Sequence, residues 1–202
     1  AFAPVAIGSG AAAITDQFKA PVALLCLVVA LALQIGVNYS NDYSDGIRGT
    51  DNYRVGPARL TGSGAADPKK VLAVALAFFA LSAVAGVVIV ILTNAWWMLA
   101  IGAVAIVAAW FYTGGRRPYG YAGLGEVMVF IFFGLVATVG TTYVQTGTLS
   151  QESLIGGIGI GLISCAVLVV NNIRDIETDK LAGKKTLAVR MGRTPSAVLF
   201  CF

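Results

Sequence analysis

Apolar residues come along this chain in long runs separated by shorter polar stretches. The run 71–92, VLAVALAFFALSAVAGVVIVIL, contains no charged residue. About 20 helical residues are enough to cross a hydrocarbon core. In lipid, backbone polar groups must be bonded within the segment itself, so such runs are predicted to be helices. Barrel strands would be about 10 residues long with alternating polarity, and that pattern is absent. The hydropathy pattern predicts a partial helix at 1–13, full spans at 20–42, 70–92, 95–112, 122–145 and 153–173, and a further span starting near 195. The expected fold class is all-α, a multi-span transmembrane helical bundle forming one domain over 1–202. The chain starts and stops inside apolar stretches, so it is expected to be a fragment with both ends incomplete. The first run is too short for a complete span and too poor in basic residues for a secretory signal.

Composition agrees with this pattern. Mean hydropathy is +0.81, and charged residues make up 12%, against about 25% in soluble domains. Cys26, Cys165 and Cys201 lie in apolar runs without a C-x-x-C pair, so small packing residues are expected rather than a disulfide or metal site. With no histidine in the chain, His-based triads and the commonest zinc sites are excluded. The Gly- and Ala-rich run 156–166, GGIGIGLISCA, suits close helix packing. Its other reading is room for a long lipid chain between helices.

The polar connections alternate in character. Residues 14–19, 93–94 and 146–152 are short and nearly uncharged, whereas 43–69, 113–121 and 174–194 are longer and polar. The latter side, with Lys69 and Lys70 at its edge, holds thirteen of the fourteen Lys and Arg residues, all but Lys19. The positive-inside bias predicts that this side faces the cytoplasm of a cell membrane. The same side also carries Asp42, Asp45, Asp51, Asp67, Glu126, Asp175, Glu177 and Asp179. Topology needs only the basic residues, so the acids require a separate cause.

Two segments account for most of them: Asn38-Tyr-Ser-Asn41-Asp42-Tyr-Ser-Asp45, followed by Asp51, and Asn171-Asn172-Ile-Arg-Asp175-Ile-Glu-Thr-Asp179-Lys180. Residues three and four apart share a helix face. Asn38, Asn41, Asp42 and Asp45 therefore form one stripe, and Asn171, Asp175 and Asp179 another. Asn41-Asp42-x-x-Asp45 matches Asn171-Asn172-x-x-Asp175 at an offset of 130 residues, which suggests two pseudo-repeated halves with similar helix ends. Several carboxylates on one stripe repel one another and resist desolvation unless a cation neutralises them. Hard oxygen donors suit Mg²⁺, which takes few carboxylates together with water and phosphate oxygens. Basic residues in the same loops would meet the remaining phosphate charge. A solvated anchoring loop is the plain alternative. A transporter's cation path is a third, but it would place acids near mid-span, and these spans are clean.

On these residues the chain resembles the UbiA superfamily of membrane prenyltransferases. The first family motif, N-D-x-x-D-x-x-x-D, is matched by Asn41, Asp42 and Asp45; Gly49 stands at the place of the last Asp, and Asp51 follows two residues later. The second motif, D-x-x-x-D, is matched by Asp175 and Asp179. NDYSDGIRGTD, the following RVGPARLTGSG, and YTGGRRPYGYAGLGE at 112–126 are similar to the branch acting on 1,4-dihydroxy-2-naphthoate in menaquinone synthesis.

The resemblance implies a UbiA-like bundle, here six to seven helices of an expected nine. It also implies Mg²⁺-dependent transfer from a polyprenyl diphosphate to dihydroxynaphthoate, with CO2 and diphosphate lost and demethylmenaquinone formed. Other acceptors, namely 4-hydroxybenzoate, homogentisate or a tetrapyrrole, are the alternatives within the family. Asp42, Asp45, Asp175 and Asp179 are then catalytic. Asn38, Asn41, Asp42, Asp45, Asp51, Asn171, Asp175 and Asp179 are the expected Mg²⁺ set. Asn41, Arg48, Arg59, Arg116, Arg117, Lys180 and Lys184 are the expected diphosphate set, with Arg59 foremost; topological anchoring is the alternative for each basic residue. Tyr112, Tyr119 and Tyr121 read as an interfacial aromatic belt or as carbocation-stabilising faces. Glu126 reads as a plain helix-start acid, an acid that supports the metal ligands from behind, or a contact to the aromatic substrate. The lipid bilayer is the expected surrounding, with no nucleic acid and no obligate protein partner.

Overall fold

The computed structural model describes residues 1–53 and 56–201. Arg54, counted above among the basic residues of the first long loop, lies outside them. The described residues form helices and turns, with no strand among them. The helices are α1 (Phe2–Ile14), α2 (Ala20–Ile47), α3 (Pro68–Thr93), α4 (Met98–Phe111), α5 (Gly125–Thr146), α6 (Gln151–Arg174), α7 (Ile176–Leu181), α8 (Leu187–Met191) and α9 (Arg193–Cys201). Helices α2, α3, α5 and α6 are long and apolar enough to cross a membrane. Their flanks expose large side chains such as Leu81, Val84, Ile91, Leu162, Ile163 and Val167. Helices apolar on every side are suited to lipid, and the protein is an integral membrane protein.

Three boundaries differ from the hydropathy reading by three residues or more. Helix α2 continues through the polar motif to Ile47 instead of ending at 42, and Gly49 (φ +73°) stands just beyond its end. The polar residues stay helical because their side chains find partners, described below. Helix α4 starts at Met98 rather than 95, because Asn94 turns with φ +56°. Helix α5 starts at Gly125 rather than 122, after a 3₁₀ turn at Tyr119–Ala122 and a left-handed Gly123.

The chain divides into two compact units. One comprises Ala1–Ile35, Phe78–Val107 and Val129–Ser164. Its core gathers Val5, Val22, Cys26, Ile89 and Val144. Here small residues let helices touch. A Cβ on Gly134 would lie 2.6 Å from the Gly161 Cα, and one on Gly8 2.4 Å from the Thr138 carbonyl oxygen. Residues Phe130–Val136 of α5 form π-helical turns where α5 meets Gly157 and Gly161. At Gly157 and Gly161 the glycine-rich run therefore serves close packing. Trp97 donates to the Tyr143 hydroxyl at 3.0 Å and meets its ring edge-on.

The second unit comprises Gly36–Ala77, Ala108–Met128 and Cys165–Phe202. It contains both acidic motifs and all the candidate residues of the three polar connections.

Candidate active site

The polar end of α2 is organised by the loop that follows it. Both carboxylate oxygens of Asp42 accept backbone N–H groups, from Leu60 and Thr61, each at 2.8 Å. The same loop lies against Gly46, where a Cβ would come within 2.4 Å of the Thr61 methyl. Asp42 is thereby a clamp for the loop backbone. Gly62 closes on Asp51, whose Cβ a glycine-to-alanine change would meet at 2.6 Å.

The clamped loop presents Arg59 to Asp45. Arg59 Nη1 is 2.9 Å from Asp45 Oδ2 and 3.9 Å from an Asp51 oxygen. Lys184 Nζ reaches the same Asp45 oxygen at 3.2 Å and stands 4.0 Å from Asp179 Oδ1. The other Asp45 oxygen accepts the Tyr121 hydroxyl at 2.6 Å. With a side chain only 1% exposed, Asp45 is held by two cations and a phenol. A buried carboxylate is stable only with such compensation. Lys184 joins the first acidic motif to Asp179 of the second.

Tyr121 stands under this cluster. Its ring centroid is 4.8 Å from Lys184 Nζ and 5.7 Å from the Arg48 guanidinium carbon, and its hydroxyl also lies 3.2 Å from Thr50 Oγ1. Burial, then the Asp45 charge and hydrogen bond, push its ionisation well above the usual phenol range, so it remains a donor. Arg48 donates to the carbonyls of Thr113 and Gly115 and so fixes the 113–115 turn. Thr113 in turn donates to Asn41 Oδ1 at 2.7 Å.

The second motif is laid out differently. Helix α6 ends at Arg174, Asp175 leaves the helical conformation, and α7 resumes at Ile176. The i→i+4 backbone bonds nevertheless run from Asn171 to Asp175 and from Asp175 to Asp179, so the predicted stripe persists. Arg174 grips Asp175 through two hydrogen bonds of 2.6 and 2.7 Å. Asp179 is buried, and desolvation lifts its carboxyl to about 6; Lys184 opposes that rise, while Asp175 and Asp45 add to it. Lys184 donates its backbone N–H to the Asp179 carbonyl, and Lys185 to that of Tyr121, so one short loop serves both.

The remaining candidates are more open. Asn38, Arg116, Arg117, Asn171 and Lys180 are exposed, and Lys180 pairs with Glu177 at 3.0 Å. Three polar ties escaped the sequence reading: Thr113 to Asn41, Tyr121 to Asp45, and Asn172 to Glu126 at 2.9 Å. Asn172 occupies the repeat position of Asp42, a signal that could have singled it out.

The donor chemistry fits a hard divalent cation. Asp45, Asp175, Asp179 and Asn41 offer oxygen ligands, and buried Asp45 carries a charge that Arg59 and Lys184 offset. Among the described residues no three acids stand close enough to enclose a metal by themselves. Mg²⁺ does not require that, since one or two carboxylates plus phosphate oxygens and water suffice.

Comparison with known proteins agrees with this arrangement. The model of the UbiA prenyltransferase family matches residues 1–202. A 1,4-dihydroxy-2-naphthoate octaprenyltransferase of Mycobacterium tuberculosis is 54% identical over 200 residues, 99% of this chain and 68% of the relative. Proteins of the same description in Haemophilus influenzae and Escherichia coli are 41% and 39% identical, over 91% and 95% of this chain and 62% and 64% of theirs. The chain thus spans about two thirds of the length of these relatives. By family match, by identity and by its paired acidic motifs, the chain belongs to the UbiA prenyltransferase family.

Proposed function

We propose that this chain transfers a polyprenyl group from its diphosphate to 1,4-dihydroxy-2-naphthoate, releasing CO2 and diphosphate and forming demethylmenaquinone in its quinol form. The similar 1,4-dihydroxy-2-naphthoate octaprenyltransferases support that acceptor over hydroxybenzoate, homogentisate or a tetrapyrrole. The observation that carries the chemistry is the bridge from buried Asp45 through Lys184 to Asp179. It brings Asp45 of the first acidic motif and Asp179 of the second together with Arg59 and Lys184.

Asp45, Asp175, Asp179 and Asn41 are the residues that would hold Mg²⁺, with Asn38, Asp51 and Asn171 at the margin. When bound, the ion supplies Lewis-acid neutralisation of charge on the departing diphosphate. Arg59 and Lys184, freed from Asp45, turn their charge to the diphosphate oxygens. Arg116, Arg117 and Lys180 are exposed cations that raise the local concentration of an anionic substrate. Asp42 and Arg48 act one step back: their bonds to backbone groups set the loops that carry Arg59 and Tyr121. The basic excess beside these loops supports a cell-membrane protein with this side in the cytoplasm.

The test incubates membranes bearing the full chain with Mg²⁺, radiolabelled polyprenyl diphosphate and dihydroxynaphthoate. Labelled lipid quinol or quinone is the expected product, with hydroxybenzoate and homogentisate giving far less. Absence of labelled product in verified protein-containing membranes sinks the reading.

A further inference from the structure

Glu126 stands apart from the other acids of this unit. It opens α5, where Asn172 Nδ2 donates to its Oε1 at 2.9 Å. Its Oε2 is buried and, among the described residues, has no hydrogen-bond partner. Of the motif acids, Asp45 is engaged by Arg59, Lys184 and Tyr121, Asp42 by two backbone amides and Asp175 by Arg174, while Asp179 faces Lys184 at 4.0 Å. An acid bound by cations is a poor proton acceptor. Glu126 is instead steadied by a neutral amide, with one oxygen left over.

Its position also suits the acceptor. Asn172 lies one helical turn before Asp175, so the tie fixes Glu126 beside the second motif. The Tyr112 hydroxyl lies against Gly125, 3.5 Å from where a Cβ would stand. Burial, then the charges of Glu126, Tyr119, Asp45 and Asp179, push the Tyr112 phenol above its ordinary range. The Tyr112 phenol thus feels the charge of Glu126 together with that of one acid from each motif.

We propose that Glu126 Oε2 takes the hydroxyl proton of the aromatic acceptor while the carbon–carbon bond forms and returns it when CO2 leaves. The inference rests on the prenyl-transfer reading above. The acceptor bears a hydroxyl on the carbon next to the one carrying its carboxylate. As that second carbon bonds to the allylic carbon, the allylic C–O bond breaks and diphosphate departs with the electron pair. The neighbouring C–OH becomes a ketone, and its proton passes to Glu126. The ring then holds a carboxylate beta to a ketone. The carbon–carboxylate bond breaks, CO2 leaves, and its electron pair restores the aromatic ring with charge on the former ketone oxygen. That oxygen recovers the proton from Glu126. No proton is gained or lost overall, which is why a single unpaired oxygen near a neutral tether suffices.

The experiment compares wild type, E126Q and E126D as full chains in membranes, with dihydroxynaphthoate and with a ring-fluorinated analogue whose hydroxyl is ionised at the assay pH. General-base assistance contributes about 10²- to 10⁴-fold. E126Q is therefore expected to lower kcat with the ordinary acceptor by about 100-fold or more. The KM for polyprenyl diphosphate should stay within about twofold, and the fluorinated acceptor should recover most of the lost rate. E126D, a displaced base, should show a smaller loss with the same recovery, and it serves as the readout if E126Q fails to insert. Turnover of E126Q near wild type, or a loss equal for both acceptors, overturns the proposal. A wild type inactive with both acceptors fails the underlying reading instead.

Discussion

The two acidic motifs look alike in sequence, but they are held in different ways. At the first, Asp42 is spent on the backbone of the following loop, and Asp45 is 1% exposed beneath two cations and a phenol. At the second, Asp175 is half-open and gripped by its own neighbour Arg174, while Asp179 shares Lys184 at a longer distance. The Asp42 position is filled by Asn172, which turns to Glu126. Both acids of the first motif are thus tied into the fold, whereas the second pairs a half-open acid with a buried one whose cation stands farther off. A carboxylate that ties down a loop and one that awaits a ligand differ in what their removal does to the protein.

The sharpest way to break this contrast is at Asp45. D45A should abolish turnover and also destabilise the protein by about 3–5 kcal/mol, the usual consequence of removing one partner from a buried ion pair. The checks are product formation in membranes and a melting curve in detergent. D175A should also abolish turnover, yet its melting temperature should stay close to wild type, because a partly exposed pair contributes about 0–1 kcal/mol. Equal destabilisation by the two variants would erase the distinction.

Y121F isolates one strut of the first motif. Leaving a buried carboxylate oxygen without its donor costs about 1–3 kcal/mol, so a lower melting temperature with insertion intact is expected.

The smallest effect should be a pH dependence at Asp179. Its folded carboxyl at about 6 lies above the ordinary aspartate value of 3.8. The folded state then binds the proton more tightly than the unfolded one. This contribution is fully present below the unfolded value and is lost as pH rises through the folded one. Melting of the Mg²⁺-free protein should weaken across that window, and D179N should flatten the trend.

Much of this was legible in the chain before any coordinates. Uncharged runs such as 71–92 announce helices because lipid leaves the backbone no other choice. The 41–45 and 175–179 spacings announce a shared face because helix geometry fixes it. Helix ends were less legible. Hydropathy ends α2 where polarity begins, at 42, but Asn41, Asp42 and Asp45 are polar residues whose bonds keep the helix going to Ile47. The division of labour among carboxylates was not legible at all. It depends on contacts such as Lys184 to Asp45, across 139 positions of sequence. Nor does composition reveal that Arg48 serves two carbonyls while Arg59 serves a carboxylate.

Gly49 separates the spelling of the first motif from its geometry. It occupies the place where the regular family spacing has its last acid, and its left-handed backbone turns the chain into the 3₁₀ segment Thr50–Tyr53. That turn brings Asp51 to within 3.9 Å of Arg59. An acid two residues beyond the regular place is thus still brought beside the cation that Asp45 holds. Repairing the spelling with G49D would force a side chain into a conformation that costs about 1–2 kcal/mol and would put the turn carrying Asp51 at risk. In this branch of the pattern, what matters is where the carboxylate arrives, and a search by fixed spacing would read its address wrongly.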